Sequence, residues 1–283
     1  MRIFLSILIL TFSVYAKTLF SNDKQVDSSQ YINSLKDLVI ATQKARGLTN
    51  SYLNGNQVAL MLVQDAKSDM KKAIETMESL GLASDPVVSQ KAAEVSKKLM
   101  ELNRKAFKLE AKVAFDRYTE EIASILALAQ TVSKRSSEHM SPFAKEASQV
   151  MMEQMLPLSE YVGQLRGMGS GIAAKGETTM EQREKLLIMI SETNKLNDNF
   201  QRNMKDIIAK GGNHYNPDIG SKASRMNDSV QSYIAFVKKE FYKDAVTVNP
   251  DNYFDKGTQI ITQIISIYND TNKAILDNSK GWI

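Results

Sequence analysis

Two arginine–glycine pairs carry the residue types best suited to chemistry in this chain. Gln43-Lys44-Ala45-Arg46-Gly47 runs on to Leu53-Asn54-Gly55, and Gln164-Leu165-Arg166-Gly167 runs on to Ala173-Ala174-Lys175-Gly176. Each arginine sits in a helical pattern that a glycine closes nine or ten residues later, and the two pairs stand 120 residues apart. A guanidinium is a planar fork of five donors, matched to planar oxyanions that accept two parallel N–H bonds. Arg46 falls on an apolar seam, where a charge without a partner is costly. Three outcomes are open: a salt bridge to a carboxylate such as Asp65 or Asp69 on the next helix, a side chain that reaches water, or an anion held on the fork. If the two halves pack about an approximate twofold, Arg46 and Arg166 converge and a small anion between them neutralises both. Gly47 and Gly167 each cost about 1 kcal/mol of helix stability relative to alanine. They are expected where backbone or ligand comes close, with tight helix packing as the alternative. Gly169 and Gly171 extend the second motif.

Other chemistry is poorly supplied. The chain has no cysteine and two histidines, which removes iron–sulfur clusters, thiolate zinc sites and c-type haem attachment. Neither His139 nor His214 has a metal-binding helical context, and His139 is expected in a solvated loop. Gly167-Met168-Gly169-Ser170-Gly171 is glycine-rich, but no strand precedes it and no Lys-Ser/Thr pair follows, so it is not read as a phosphate loop. Met151, Met152 and Met155 are assigned to core packing. Asp251 to Asp255 lacks calcium-loop spacing and reads as an acidic helix start. No nucleophile–base set stands out, so no enzyme activity, cofactor or metal is expected. With 36 basic and 32 acidic residues the net charge is +4, too mild to imply nucleic acid.

The elements that must position the arginines are helices. Residues 1–16 read as a secretory signal peptide cleaved after Ala16, with basic Arg2, an apolar run Ile3 to Phe12, and Val14-Tyr15-Ala16 at the cleavage site; loss of Arg2 takes the charge to +3. A retained N-terminal anchor is the alternative. Residues 17–29 are expected to be a flexible N-terminal segment. Beyond them the apolar period is three to four throughout, and no stretch approaches the 18 apolar residues of a spanning helix. Helices are expected over about 30–54, 57–80, 86–134 with one interruption, 142–175, from Thr178-Thr179-Met180-Glu181 to Gly211-Gly212, after Pro217-Asp218, and from Asn249-Pro250-Asp251 to the C-terminus. Proline and glycine fall at the boundaries. The fold class is therefore all-α: two up-and-down antiparallel helical bundles, 30–136 and 142–283, related by an internal duplication.

The stretch Ala41-Thr42-Gln43-Lys44-Ala45-Arg46-Gly47-Leu48-Thr49-Asn50-Ser51-Tyr52-Leu53-Asn54-Gly55 resembles the first signature of the nitrate- and nitrite-sensing (NIT) domain family, which reads Leu-Gln-x-Glu-Arg-Gly-x-Ser-x-x-Tyr-Leu. Leu165 to Gly176 resembles its second signature. Ala45 stands where members carry an acidic residue. The resemblance covers about 30–280. It implies two helical bundles that bind nitrate or nitrite between them through arginines on several helices. Arg46 and Arg166 match the motif positions; Arg225 is a looser third candidate, and Arg117 a weaker fourth. Family members carry an output module, and none is read here. With the signal-peptide reading of residues 1–16, the resemblance implies a secreted, periplasmic sensor that reports to a separate membrane-bound sensor kinase or chemoreceptor, with a homodimer compatible. The alternative is a structural or adaptor bundle of the cell envelope with no small-molecule ligand.

Overall fold

The computed structural model describes residues 2–53, 57 and 59–280, with side chains described from residue 23 onward except at 51, 139, 174 and 280. Helices account for the fold: α1 (Arg2–Leu53), α2 (Ala59–Glu78), α3 (Pro86–Lys105), α4 (Ala111–Ser136), α5 (Pro142–Val150), α6 (Leu156–Lys175), α7 (Met180–Gly211), α8 (Ile219–Glu240) and α9 (Pro250–Lys280). No strand occurs among the described residues, and no helix among them is long and apolar enough to cross a membrane. The expected signal peptide lies outside the residues whose side chains are described.

Local chemistry sets the boundaries. Asp85 caps α3 by accepting from the Val87 and Val88 amides, with Pro86 in the first turn, where its missing N–H costs nothing. Ser141 caps α5 in the same way. Thr179 and Gln182 form the reciprocal capping box of α7. Gly176 ends α6 in the left-handed region at φ 77°, which glycine enters without a Cβ penalty. The expected interruption of the third helix is a 3-10 turn, Ala106–Lys108. The helix expected over 142–175 contains a π-helical turn, Met151–Met155. It directly precedes Leu156-Pro157, and a proline can neither donate to the carbonyl four residues back nor clear it sterically.

In the first half, α1 packs on α2 and α4, and α3 on α4. In the second, α6 packs on α9 and α7, and α8 on α7 and α9. The halves are fused: α1 also packs on α9 and α6, and one buried apolar cluster runs through both. Met151, Met152 and Met155 lie in it. The expectation of a flexible segment over 17–29 is corrected where side chains are described. Residues 23–29 continue α1, and Gln25, Ser28 and Ser29 are buried. The reason is polar bonding to α9: Gln25 Nε2 donates to the Ile275 carbonyl at 3.0 Å, and Ser29 Oγ to Asn272 Oδ1 at 2.6 Å.

Candidate functional site

Arg46 is the largest fully buried side chain among the described residues, 2% exposed. Its neighbour across the interface is Glu160 of α6, also buried. Arg46 Nη1 donates to Glu160 Oε1 at 2.5 Å and Nη2 to Oε2 at 3.1 Å. This is a fork-to-fork pair, the strongest geometry available to an arginine. Nη1 also donates to Thr119 Oγ1 at 2.9 Å, and the guanidinium lies 4.9 Å from the Phe115 ring centroid. Gln164 Nε2 holds Glu160 Oε1 from one turn further along α6, at 2.8 Å. The suggested partners Asp65 and Asp69 are corrected: both are exposed on α2, and the carboxylate comes from the other half of the molecule.

Arg166 sits two turns further along α6, facing α9. Its Nη1 donates to Thr258 Oγ1 at 2.9 Å, and its guanidinium stacks 4.4 Å from the Phe254 ring centroid. The arrangement reproduces that of Arg46. In each case phenylalanine and threonine lie one turn apart near the start of a helix, α4 or α9, and the threonine hydroxyl donates to the phenylalanine carbonyl. One feature differs. Among the described residues Arg166 has no carboxylate partner, and its Nε is buried without a hydrogen-bond partner. Burial, aided by the nearby Arg46 charge, lowers the Arg166 pKa to about 10. The guanidinium is still charged at neutral pH, and its surroundings compensate that charge poorly. Arg46, Glu160 and Arg166 together carry one net positive charge.

Close helix crossings hold this geometry. A Cβ at Gly167 would come 2.9 Å from Phe115 Cε2, the ring beneath Arg46. A Cβ at Gly169 would overlap the Tyr253 ring, whose hydroxyl donates to the Leu165 carbonyl at 2.8 Å. Tyr253 stacks on Tyr233 at 5.1 Å. Burial pushes the Tyr233 hydroxyl well above the usual phenol range, and this hydroxyl and that of Ser170 are buried without partners. Behind Tyr233 a surface cleft of about 340 Å³ opens between α8 and α9, lined by Asp228, Lys256 and Gln263 among others. No cluster of metal-ligating side chains occurs among the described residues.

The structure thus brings Arg46 and Arg166 to the contact of α1, α4, α6 and α9, each on its own platform. It does not bring Arg225 there. Arg225 is exposed on α8, whose buried face is Ala223, Met226, Val230 and Tyr233. Arg117 is likewise exposed. Gly167 makes the close approach expected of it; Gly47 does not, since a Cβ there would meet nothing within 4 Å. Sequence reasoning missed Glu160, Phe115, Thr119, Phe254 and Thr258. The last four carry a readable signal: Phe115-Asp116-Arg117-Tyr118-Thr119 and Phe254-Asp255-Lys256-Gly257-Thr258 share Phe-Asp-basic-x-Thr.

Residues 37–277 match the family described as nitrate and nitrite sensing (NIT). No curated protein matches the sequence. Among solved structures, that of the NasR transcription antiterminator matches with a TM-score of 0.67 at 14% identity, over 98% of this chain and 75% of that one. The all-α fold is therefore shared with a known structure. The chain belongs to the nitrate- and nitrite-sensing family.

Proposed function

We propose that this member of the nitrate- and nitrite-sensing family is a binding protein, not an enzyme, and that it takes one small planar oxyanion, nitrate or nitrite, at Arg166 where α6 meets α9, beside the contact between the two helical halves. The observation that carries the reading is the state of Arg166: a stacked guanidinium with a buried, unpaired Nε and no carboxylate. A planar oxyanion accepts the paired N–H bonds that this fork offers. The surplus of one positive charge suits a monovalent ion. Arg46, locked to Glu160, acts in this reading as the wall of the site rather than as its second claw. Arg225 has no part in it.

The site lies where α6 meets α9, and α6 also carries Glu160 of the α1–α6 ion pair, so an ion there bears on how α6 packs against the first half. A ligand shifts an equilibrium only through such differential contacts. We further propose that the protein works in the periplasm after removal of residues 1–16, and that it passes the signal to a separate membrane-bound sensor kinase or chemoreceptor. The family match to 37–277 supports sensing; the leader-like residues 1–16 support the location. Calorimetric titration with nitrate, nitrite, chloride and sulfate tests the ligand. Binding of nitrate or nitrite at a stoichiometry of one, tighter than chloride or sulfate, is expected. Equal or absent binding of all four overturns the reading in favour of a structural bundle.

A further inference from the structure

We propose that Glu160 is a built-in occupant of a second anion position, on Arg46, and keeps that position closed to ions from solution. The inference rests on the reading of Arg166 as an anion site. Its own support is the likeness of the two arginine platforms. Arg46 lies over Phe115 and bonds Thr119; Arg166 lies over Phe254 and bonds Thr258. On Arg46 the fork is filled, and what fills it is planar: the two oxygens of Glu160, at 2.5 and 3.1 Å from Nη1 and Nη2. A carboxylate and a nitrate present the same pair of coplanar acceptors, so Glu160 occupies the place a free oxyanion would take on an arginine held this way.

The sequence accounts for the asymmetry. Glu160 stands six residues before Arg166 on α6. Six residues before Arg46 on α1 stands Ile40. One arginine therefore meets a carboxylate carried by the opposite half, and the helix that carries the other arginine's counterpart offers an isoleucine. Glu160 is 3% exposed and held by Gln164 as well as by Arg46, which fits a permanent occupant rather than a side chain that swings to solvent. Glu160 thereby sets both the number of external anions, one, and their charge, since a second or divalent anion finds no uncompensated cation at Arg46.

The test is titration of full-length Glu160→Ala with nitrate. Wild type is expected to bind one ion and the variant two, with the added site lost in the double variant Arg46→Met/Glu160→Ala. Should Glu160→Ala melt too low for calorimetry, its melting temperature is followed against nitrate and formate. The dependence on the logarithm of anion concentration should be about twice as steep as in wild type, because two sites then bind the folded state. A variant that binds no more ions than wild type, or a wild-type slope, overturns the role of Glu160. The two readings fail separately. A wild type that binds no nitrate overturns the site at Arg166, and uptake of one ion by Glu160→Ala alone upholds the closed site at Arg46.

Discussion

Replacing Arg166 by methionine should stabilise the anion-free protein and remove its response to nitrate. Arg166 is poorly compensated in the folded state: burial and the neighbouring Arg46 lower its pKa from 12.5 to about 10. At about 1.4 kcal/mol per pH unit that difference is worth roughly 3 kcal/mol. The side chain is only half-buried, and screening by water cuts the figure to about 1–2 kcal/mol. The sign follows from linkage. A cation whose folded pKa is lowered is charged in both states at neutral pH, and the folded state bears the full cost there. Methionine keeps the apolar stem beside Gly257 and removes the charge. A gain of about 1–2 kcal/mol in a chain of this size raises the melting temperature by roughly 2–6 °C. The assay is thermal unfolding by circular dichroism in buffer free of chloride and nitrate, then with nitrate added. Wild type at about 100 times its dissociation constant gains roughly 2.7 kcal/mol, and the variant should gain nothing. A lower melting temperature for Arg166→Met without anion, together with an intact nitrate shift, would refute the reasoning and make Arg166 a packing residue.

Three further outcomes are expected. Gly47→Ala should add up to about 1 kcal/mol, because the helix gains propensity and the new methyl meets nothing within 4 Å; chemical denaturation checks this, and a loss of nitrate binding would show that ligand uses that space. Gly169→Ala should cost about 1–3 kcal/mol by forcing α6 and α9 apart at the buried Tyr253 ring, and should weaken binding by displacing Arg166; an unchanged melting temperature contradicts it. Alkaline pH should unfold the protein. Burial raises the pKa of Tyr118 and Tyr215 to about 12, and those of Tyr31, Tyr233, Tyr253 and Tyr268 further. Groups with raised folded pKa values contribute stability that is complete below pH 10 and declines as pH rises toward 12 and beyond. A flat melting temperature from pH 9 to 12 contradicts this.

Much of the frame is legible in the sequence because it is local. Asp85, Ser141 and the Thr179–Gln182 box each act within three or four residues, so capping rules find them. Arg46 on an apolar seam is local too, and correctly raises the question of its counter-charge. The answer is not local: Glu160 lies 114 residues away on a helix of the other half, and nothing around Ser159-Glu160-Tyr161 marks it as a partner. The Phe-Asp-basic-x-Thr stretches are visible, but only a comparison of one with the other gives them meaning. Residues 23–29 mislead by composition. Serine and glutamine suggest a solvated segment, whereas here they are small or bonded enough to pack against α9. Arg225 misleads by type, since its phase on α8 turns it away from the buried face.

The central claim is that one planar oxyanion lies on Arg166 where α6 meets α9, next to the contact between the halves. The most direct measurement is a crystal structure of the full-length chain grown with nitrate. The account predicts a planar ion accepting from Arg166 Nε, close to Thr258, with the Arg46–Glu160 pair intact beside it. Nitrate bound elsewhere, or an ion on Arg46 with Glu160 displaced while Arg166 stays unpaired, would contradict it.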